Sequence, residues 1–237
     1  FCGVNFKNPI VLASGILGVT ADSMARVVRS GAGGVTSKSL WAFEHVGHPN
    51  PTVISTEEWM LNAVGIPDAG PEKAREEIAR FREVCDAPFI ANIVGGVMED
   101  YAAIAQEVAS MKPDIVEINI SCPNVEDEFG KPMACSTHKS AEVTRLVKDR
   151  LKEHGAGDVP VVVKLSPNAE DIVSIAGSVL KAGADGITAI NTVGPGMAID
   201  IDSAQPILAN KVGGLSGPAI KPLAVKIVYD IYKNYKC

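Results

Sequence analysis

Short, almost continuously apolar runs alternate along this chain with longer stretches whose apolar positions recur every three to four residues. Runs of this kind are the mark of strands buried on both faces, and the stretches between them carry the period of an amphipathic helix. The pattern predicts strands over residues 9–14, 34–38, 88–92, 115–120, 161–164 and 186–191. It predicts helices over 20–30, 71–84, 99–110, 140–153, 169–182 and 218–235. The second of these has Pro71 at its first turn and Glu72, Glu76 and Glu77 soon after, where the helix dipole favours negative charge. Segments 40–69, 121–139 and 192–217 lack either period and read as long loops, the first a functional loop rather than a linker.

Regular strand–helix alternation predicts a parallel sheet covered on both faces. Each predicted strand closes on or near a polar or charged residue: Ser14, Lys38, Asn92, Asn119, Lys164 and Asn191. In a (β/α)₈ barrel the C-terminal strand ends converge on one face, where the active site is built. A doubly wound sheet would gather its polar groups at one switch point instead. Solvated strand ends would account for serine and asparagine, but less well for two lysines that follow apolar or small residues. The fold expected is therefore α/β, a TIM barrel with about six of the eight βα units present. Residues 1–237 are expected to form a single domain whose last two strands are missing.

Composition narrows the function classes. With 237 residues, 46% of them hydrophobic, the chain can bury one sizeable core. A net charge of −6 with no basic block argues against nucleic acid or an anionic membrane as partner. No apolar run approaches the roughly 20 residues of a membrane span, and no leader resembles a signal peptide. A cytoplasmic location is expected. The five cysteines form no C-x-x-C pair, so neither a disulfide framework nor a metal centre is expected. His45-x-x-His48 is a weak metal signal without acidic or thiol company.

The densest chemistry lies in Val116-Glu-Ile-Asn-Ile-Ser-Cys-Pro-Asn124. An apolar strand stops at two carboxamides, Asn119 and Asn124, and one thiol, Cys122, held extended by the proline after it. Such a group suits a site that reads a planar, hydrogen-bonding ligand and moves a proton from it. The competing reading is a buried structural cysteine, the commoner fate of a free thiol.

Eight segments in order resemble one known family: Pro9-Ile-Val-Leu-Ala-Ser-Gly15, Thr36-Ser-Lys-Ser39, Leu61-Asn-Ala-Val-Gly65, Asn119-Ile-Ser-Cys-Pro-Asn124, Val163-Lys-Leu-Ser-Pro-Asn168, Ile190-Asn-Thr192, Pro206-Ile-Leu-Ala-Asn210 and Gly213-Gly-Leu-Ser-Gly-Pro-Ala219. Over its whole length the chain resembles the dihydroorotate dehydrogenases, the flavin enzymes of pyrimidine biosynthesis, and most of all the cytosolic class 1B catalytic subunits. The resemblance implies oxidation of (S)-dihydroorotate to orotate, a base taking the C5 proton and FMN taking the C6 hydride at N5. It assigns the base to Cys122, where class 2 members carry serine. A thiol of ordinary pKa near 8.5 is only a few per cent ionised at neutral pH, so activity is expected to rise with pH through that range. The resemblance implies flavin contacts at Ser14, Lys38, Ser39, Asn92, Asn119, Lys164, Ile190 and Gly217. Lys164 would face the N1–C2=O edge, and Lys38 would serve flavin and substrate carboxylate alike. Substrate contacts are implied at Lys38, Asn62, Ala63, Val64, Gly65, Ile66, Asn119, Asn124, Asn191 and Thr192. Asp68 stands where members of the family commonly carry asparagine, and is expected to face solvent.

Class 1B membership would make NAD the final acceptor, reached through a partner subunit carrying FAD and a 2Fe–2S cluster. A homodimer would form the core of a heterotetramer. The chain itself offers no cysteine cluster for such a centre. Alternatives are a class 1A fumarate-dependent enzyme, a dihydropyrimidine dehydrogenase-like domain, or an incomplete, non-catalytic flavin-binding subunit. Because the family's FMN phosphate is held after the last two strands, FMN is expected to bind this chain weakly.

Overall fold

The computed structural model describes residues 1–121 and 133–237. It opens with β1 (Val11–Leu12), α1 (Ala21–Arg29) and β2 (Gly34–Thr36), followed by a hairpin of β3 (Val53–Ser55) and β4 (Met60–Asn62). Next come α2 (Pro71–Val84), β5 (Phe89–Ile93), α3 (Met98–Met111), β6 (Ile115–Asn119) and α4 (Thr137–Glu153). β7 (Val161–Lys164), α5 (Ile172–Lys181) and β8 (Gly186–Thr188) complete the βα series. Four short strands, β9 (Val193–Gly196), β10 (Ile199–Asp200), β11 (Gln205–Pro206) and β12 (Gly213–Ser216), precede α6 (Lys221–Tyr235).

Among the described residues six strands form one parallel sheet in the order β1-β2-β5-β6-β7-β8. That order follows the chain without reversal, so every crossover steps the same way. A doubly wound sheet would reverse at a switch point; this sheet is a six-stranded arc of a TIM barrel. Strand parity divides the residues between its faces. Phe89, Ala91, Ile93, Val116, Ile118, Val161 and Val163 join the core beneath the helices. Ile90, Ile115 and Val162 point the other way and pack with Val4, Phe6 and Val11.

A polar layer shares that inner face. Buried Glu117 accepts hydrogen bonds from Asn92 Nδ2 and Thr188 Oγ1, both at 2.6 Å, which satisfies a carboxylate that would be costly to bury unpaired. Helix starts follow their signals. Thr20 caps α1 reciprocally with Ser23, while Glu77 of α2 accepts the Ala21 N–H at 2.7 Å. Gly70, at φ +88°, hands over to Pro71 at the first position of α2.

Two corrections concern the predicted loops. Segments 40–69 and 192–217 are not strandless: β3, β4, β12 and β9 form a second, antiparallel sheet in that order, with β10 and β11 as a separate hairpin. This small sheet has its own apolar cluster of Leu61, Ala63 and Leu208. It lacks a legible alternation because glycines carry its close approaches. A Cβ on Gly213 would lie 2.5 Å from Asn62 O, and one on Gly214 would lie 2.2 Å from Thr192 Oγ1. Among the described residues no helix is long and apolar enough to cross a membrane.

Candidate active site

Between the end of the parallel sheet and the antiparallel sheet lies a cleft of about 750 Å³, within the range of small-molecule sites. The parallel strands bring Ser14, Lys38, Ser39, Asn119, Lys164, Ile190 and Asn191 to its wall. The antiparallel sheet and its flanks bring Asn62, Val64, Gly65, Ile66 and Thr192. Five of the six polar residues closing the predicted strands thus meet in one place. Asn92, the sixth, is fully buried behind the wall, held by Glu117. Ala63 is also buried and does not reach the cleft. Gly217, at φ +96°, precedes the short helical turn 218–220 and packs toward Trp59, off the wall. Cys122 and Asn124 lie outside the described residues.

Two buried cations dominate the electrostatics. Lys38 and Lys164 are only 8% and 7% exposed, yet neither forms an ion pair with a carboxylate among the described residues. Lys164 Nζ reaches the carbonyl of Ser14 at 3.5 Å; Lys38 forms no side-chain hydrogen bond with any described residue. Burial holds the Lys38 ammonium below its ordinary value; Asp68 pulls it back up, and Lys164 pushes it further down. Buried charges without partners are expensive, so two at one wall mark a place for an anionic or strongly polar ligand. Asn92 Oδ1 is likewise a buried acceptor with no partner among the described residues.

The amides form a prearranged set. Asn191 Nδ2 donates to Ser121 Oγ at 2.8 Å and to Asn119 Oδ1 at 3.3 Å, while Asn191 Oδ1 accepts the Thr192 N–H at 2.7 Å. Tyr101 donates its hydroxyl to the Asn119 carbonyl at 2.7 Å, fixing the end of β6 from the helix side. Asn62 Nδ2 reaches Gly214 O at 3.5 Å across the antiparallel sheet. Carboxamides offer donor and acceptor side by side, as a ring bearing alternating N–H and C=O groups demands.

The family model for dihydroorotate dehydrogenase matches residues 1–237. The chain belongs to the dihydroorotate dehydrogenase family. Among its relatives is the dihydroorotate dehydrogenase B (NAD(+)) catalytic subunit of Methanocaldococcus jannaschii, 43% identical over 99% of this chain and 74% of that protein. Proteins of the same name from Methanosarcina mazei and Geobacillus kaustophilus are 44% and 42% identical, each over 97% of this chain and 71% of their own length.

Several residues at this dihydroorotate dehydrogenase cleft escaped the sequence reading. Ser121, Ser166, Asn168 and Ser216 also line it. Glu117 could have been found, since it is the one charged residue inside an apolar strand and shares the parity of Asn119. Asp68 does not face solvent as expected. Half-buried, it accepts the Trp41 N–H at 2.6 Å and the Gly70 N–H at 3.3 Å. His45 and His48 turn their Nδ1 atoms to the carbonyls of Ile66 and Ala63, each at 3.0 Å.

Proposed function

We propose that this chain oxidises (S)-dihydroorotate to orotate, binding FMN in the cleft and passing electrons to NAD through a partner subunit that carries FAD and a 2Fe–2S cluster. The observation that carries the reading is the pair of buried lysines, without a carboxylate partner among the described residues, beside four carboxamides in a cleft of family-typical sequence. FMN bound there supplies the acceptor for the C6 hydride. Lys164 would hold the flavin and stabilise the negative charge that it gains on reduction. Lys38 would hold flavin and the substrate carboxylate alike and stabilise the anion. Asn62, Asn119, Asn191 and Thr192 bind and orient the ring, with Asn124 assigned by resemblance. Cys122, three positions beyond Asn119 in the sequence, takes the C5 proton. Lys38 and Lys164 are the protein groups at the cleft that a bound flavin would satisfy.

The relatives' names support the NAD-linked arrangement, because a catalytic subunit implies a second subunit. The test is purification with FMN, a flavin absorbance assay, and dihydroorotate oxidation with NAD plus partner set against fumarate. Weak flavin binding, made up by an excess of FMN, and NAD-linked turnover are expected. Turnover with fumarate alone would move the chain to class 1A, and absence of flavin binding would overturn the reading.

A further inference from the structure

The wall formed by Val64, Gly65 and Ile66 adopts a conformation that a free loop would rarely choose. Gly65 and Ile66 have φ of +74° and +46°, consecutive left-handed residues of which the second is β-branched. A β-branched residue there is a true outlier and persists only where its surroundings over-determine it. The surroundings are residues 45–48. His45 and Asp68 exchange both backbone hydrogen bonds at 2.9 Å, and His48 N–H donates to Val64 O at 3.1 Å. Two imidazoles add to this ladder: His45 Nδ1 lies 3.0 Å from Ile66 O and His48 Nδ1 lies 3.0 Å from Ala63 O. Since a carbonyl can only accept, each Nδ1 must carry the proton.

The same strap is tied to the parallel sheet. The His45 ring stacks on Trp41 at 4.8 Å and 7°, and Trp41 is buried beside the rim where Leu40 pairs with Ile93. A side chain at Gly65 would meet His48, its Cβ 2.6 Å from the backbone nitrogen and 2.8 Å from the ring. Strap and wall are thus fitted to each other over several residues.

We infer that His45 and His48 are positioning residues, an imidazole clamp on the carbonyls of Ala63 and Ile66 that holds the Val64–Ile66 wall in the shape that selects the substrate ring. The inference rests on reading the cleft as a dihydroorotate site.

The test separates hydrogen bond from bulk. His48→Leu and His45→Phe keep volume and, for the second, stacking, but remove the donor. His48→Asn puts an amide N–H close to the position of Nδ1. In FMN-loaded protein we expect each donor-free variant to weaken orotate binding, read from the flavin spectrum, by about tenfold, the size of one hydrogen bond. The KM for dihydroorotate should rise in proportion, kcat should fall less than about threefold, and FMN affinity should hold within about threefold, since the clamp touches neither the flavin side nor the reacting atoms. His48→Asn should recover wild-type affinity. Equal affinity in His48→Leu and wild type, or a parallel fall in FMN affinity, would overturn the clamp. So would failure of His48→Asn to rescue. Should His48→Leu not fold, His48→Gln, whose donor sits one bond further out, carries the same readouts. Wild-type protein that binds FMN but no orotate would sink the dihydroorotate reading alone. Hydrogen exchange of the peptide spanning 61–68 then decides the clamp: faster exchange in the donor-free variants supports it, and unchanged exchange overturns it.

Discussion

In the parallel sheet each strand lies beside the strand of the next βα unit, whereas β4 meets β12 across 152 positions, from Asn62 to Gly214. The first sheet is held by a continuous apolar core under its helices, and the second by a cluster centred on Leu61, Ala63 and Leu208. They also contribute differently to the cleft. The parallel strand ends supply the charges and the paired amides, Lys38, Lys164, Asn119 and Asn191; the antiparallel sheet supplies walls, Asn62, Val64 to Ile66 and Thr192. A rigid, deeply cored sheet suits groups that must hold a charge steady, and a thinner sheet suits groups that select a ring by shape. Substitutions should therefore split, those on the parallel side changing turnover and those on the antiparallel side changing affinity.

The largest expected effect is at Cys122, which follows β6 in sequence. Cys122→Ala should lower kcat for dihydroorotate by about 100-fold or more, the usual size of a general-base contribution, with flavin binding preserved. Stopped-flow flavin reduction measures it; equal loss of flavin would assign the thiol a structural role. Next in size is Gly214→Ala. Its methyl would sit 2.2 Å from Thr192 Oγ1 and 2.7 Å from Thr192 Cβ, so the backbone carrying Thr192 must move. Overpacking costs about 1–3 kcal/mol, which predicts orotate binding weaker by roughly 5- to 150-fold. Flavin affinity should change less than threefold. A fall in FMN binding as large as the fall in orotate binding would erase the distinction between the two sheets.

That distinction also governs what could be read from the sequence. β5, β6 and β7 were legible because their strands are almost continuously apolar and lie between stretches of helical period, and α2 fell where Pro71 and the early glutamates put it. Lys38 and Lys164 were legible as cleft residues because a lysine closing an apolar strand has few structural uses. The antiparallel sheet was not legible. Its strands are three or four residues long, and their pairing depends on Gly213 and Gly214, whose lack of a side chain permits contact but leaves no period. Asp68 was misplaced for a related reason: its burial follows from the turn that brings it to the Trp41 N–H, a contact between residues 27 apart that no local pattern encodes.

Asp68 gives the smallest and most discriminating prediction, because it stands where the two sheets join. Burial raises its carboxyl above the ordinary value, although the N–H groups of Trp41, Gly70 and Ala69 and the charge of His45 pull it down. Folding therefore favours the protonated form. The stabilising contribution is fully present below the ordinary carboxylate value near 3.9 and is lost as pH rises through the folded value. Asparagine keeps the acceptor for Trp41 and cannot ionise. The melting temperature of Asp68→Asn relative to wild type should thus rise from about pH 3.5 upward and level off once wild-type Asp68 is ionised. Function should move the other way. Lys38 loses the charge that raises it while burial and Lys164 still lower it, and Glu44, Lys73 and Glu77 line a separate neighbouring pocket that Lys38 shares with Asp68. Orotate binding should then weaken by about two- to fivefold, the size of a solvent-screened pair, and the loss should grow at alkaline pH, where Lys38 of the variant gives up its proton before that of wild type. A stability difference that does not vary with pH would show that Asp68 acts through its hydrogen bonds alone. Stability gained together with alkaline affinity lost would show one carboxylate, supplied by the wall, holding the charge of a lysine on the parallel sheet.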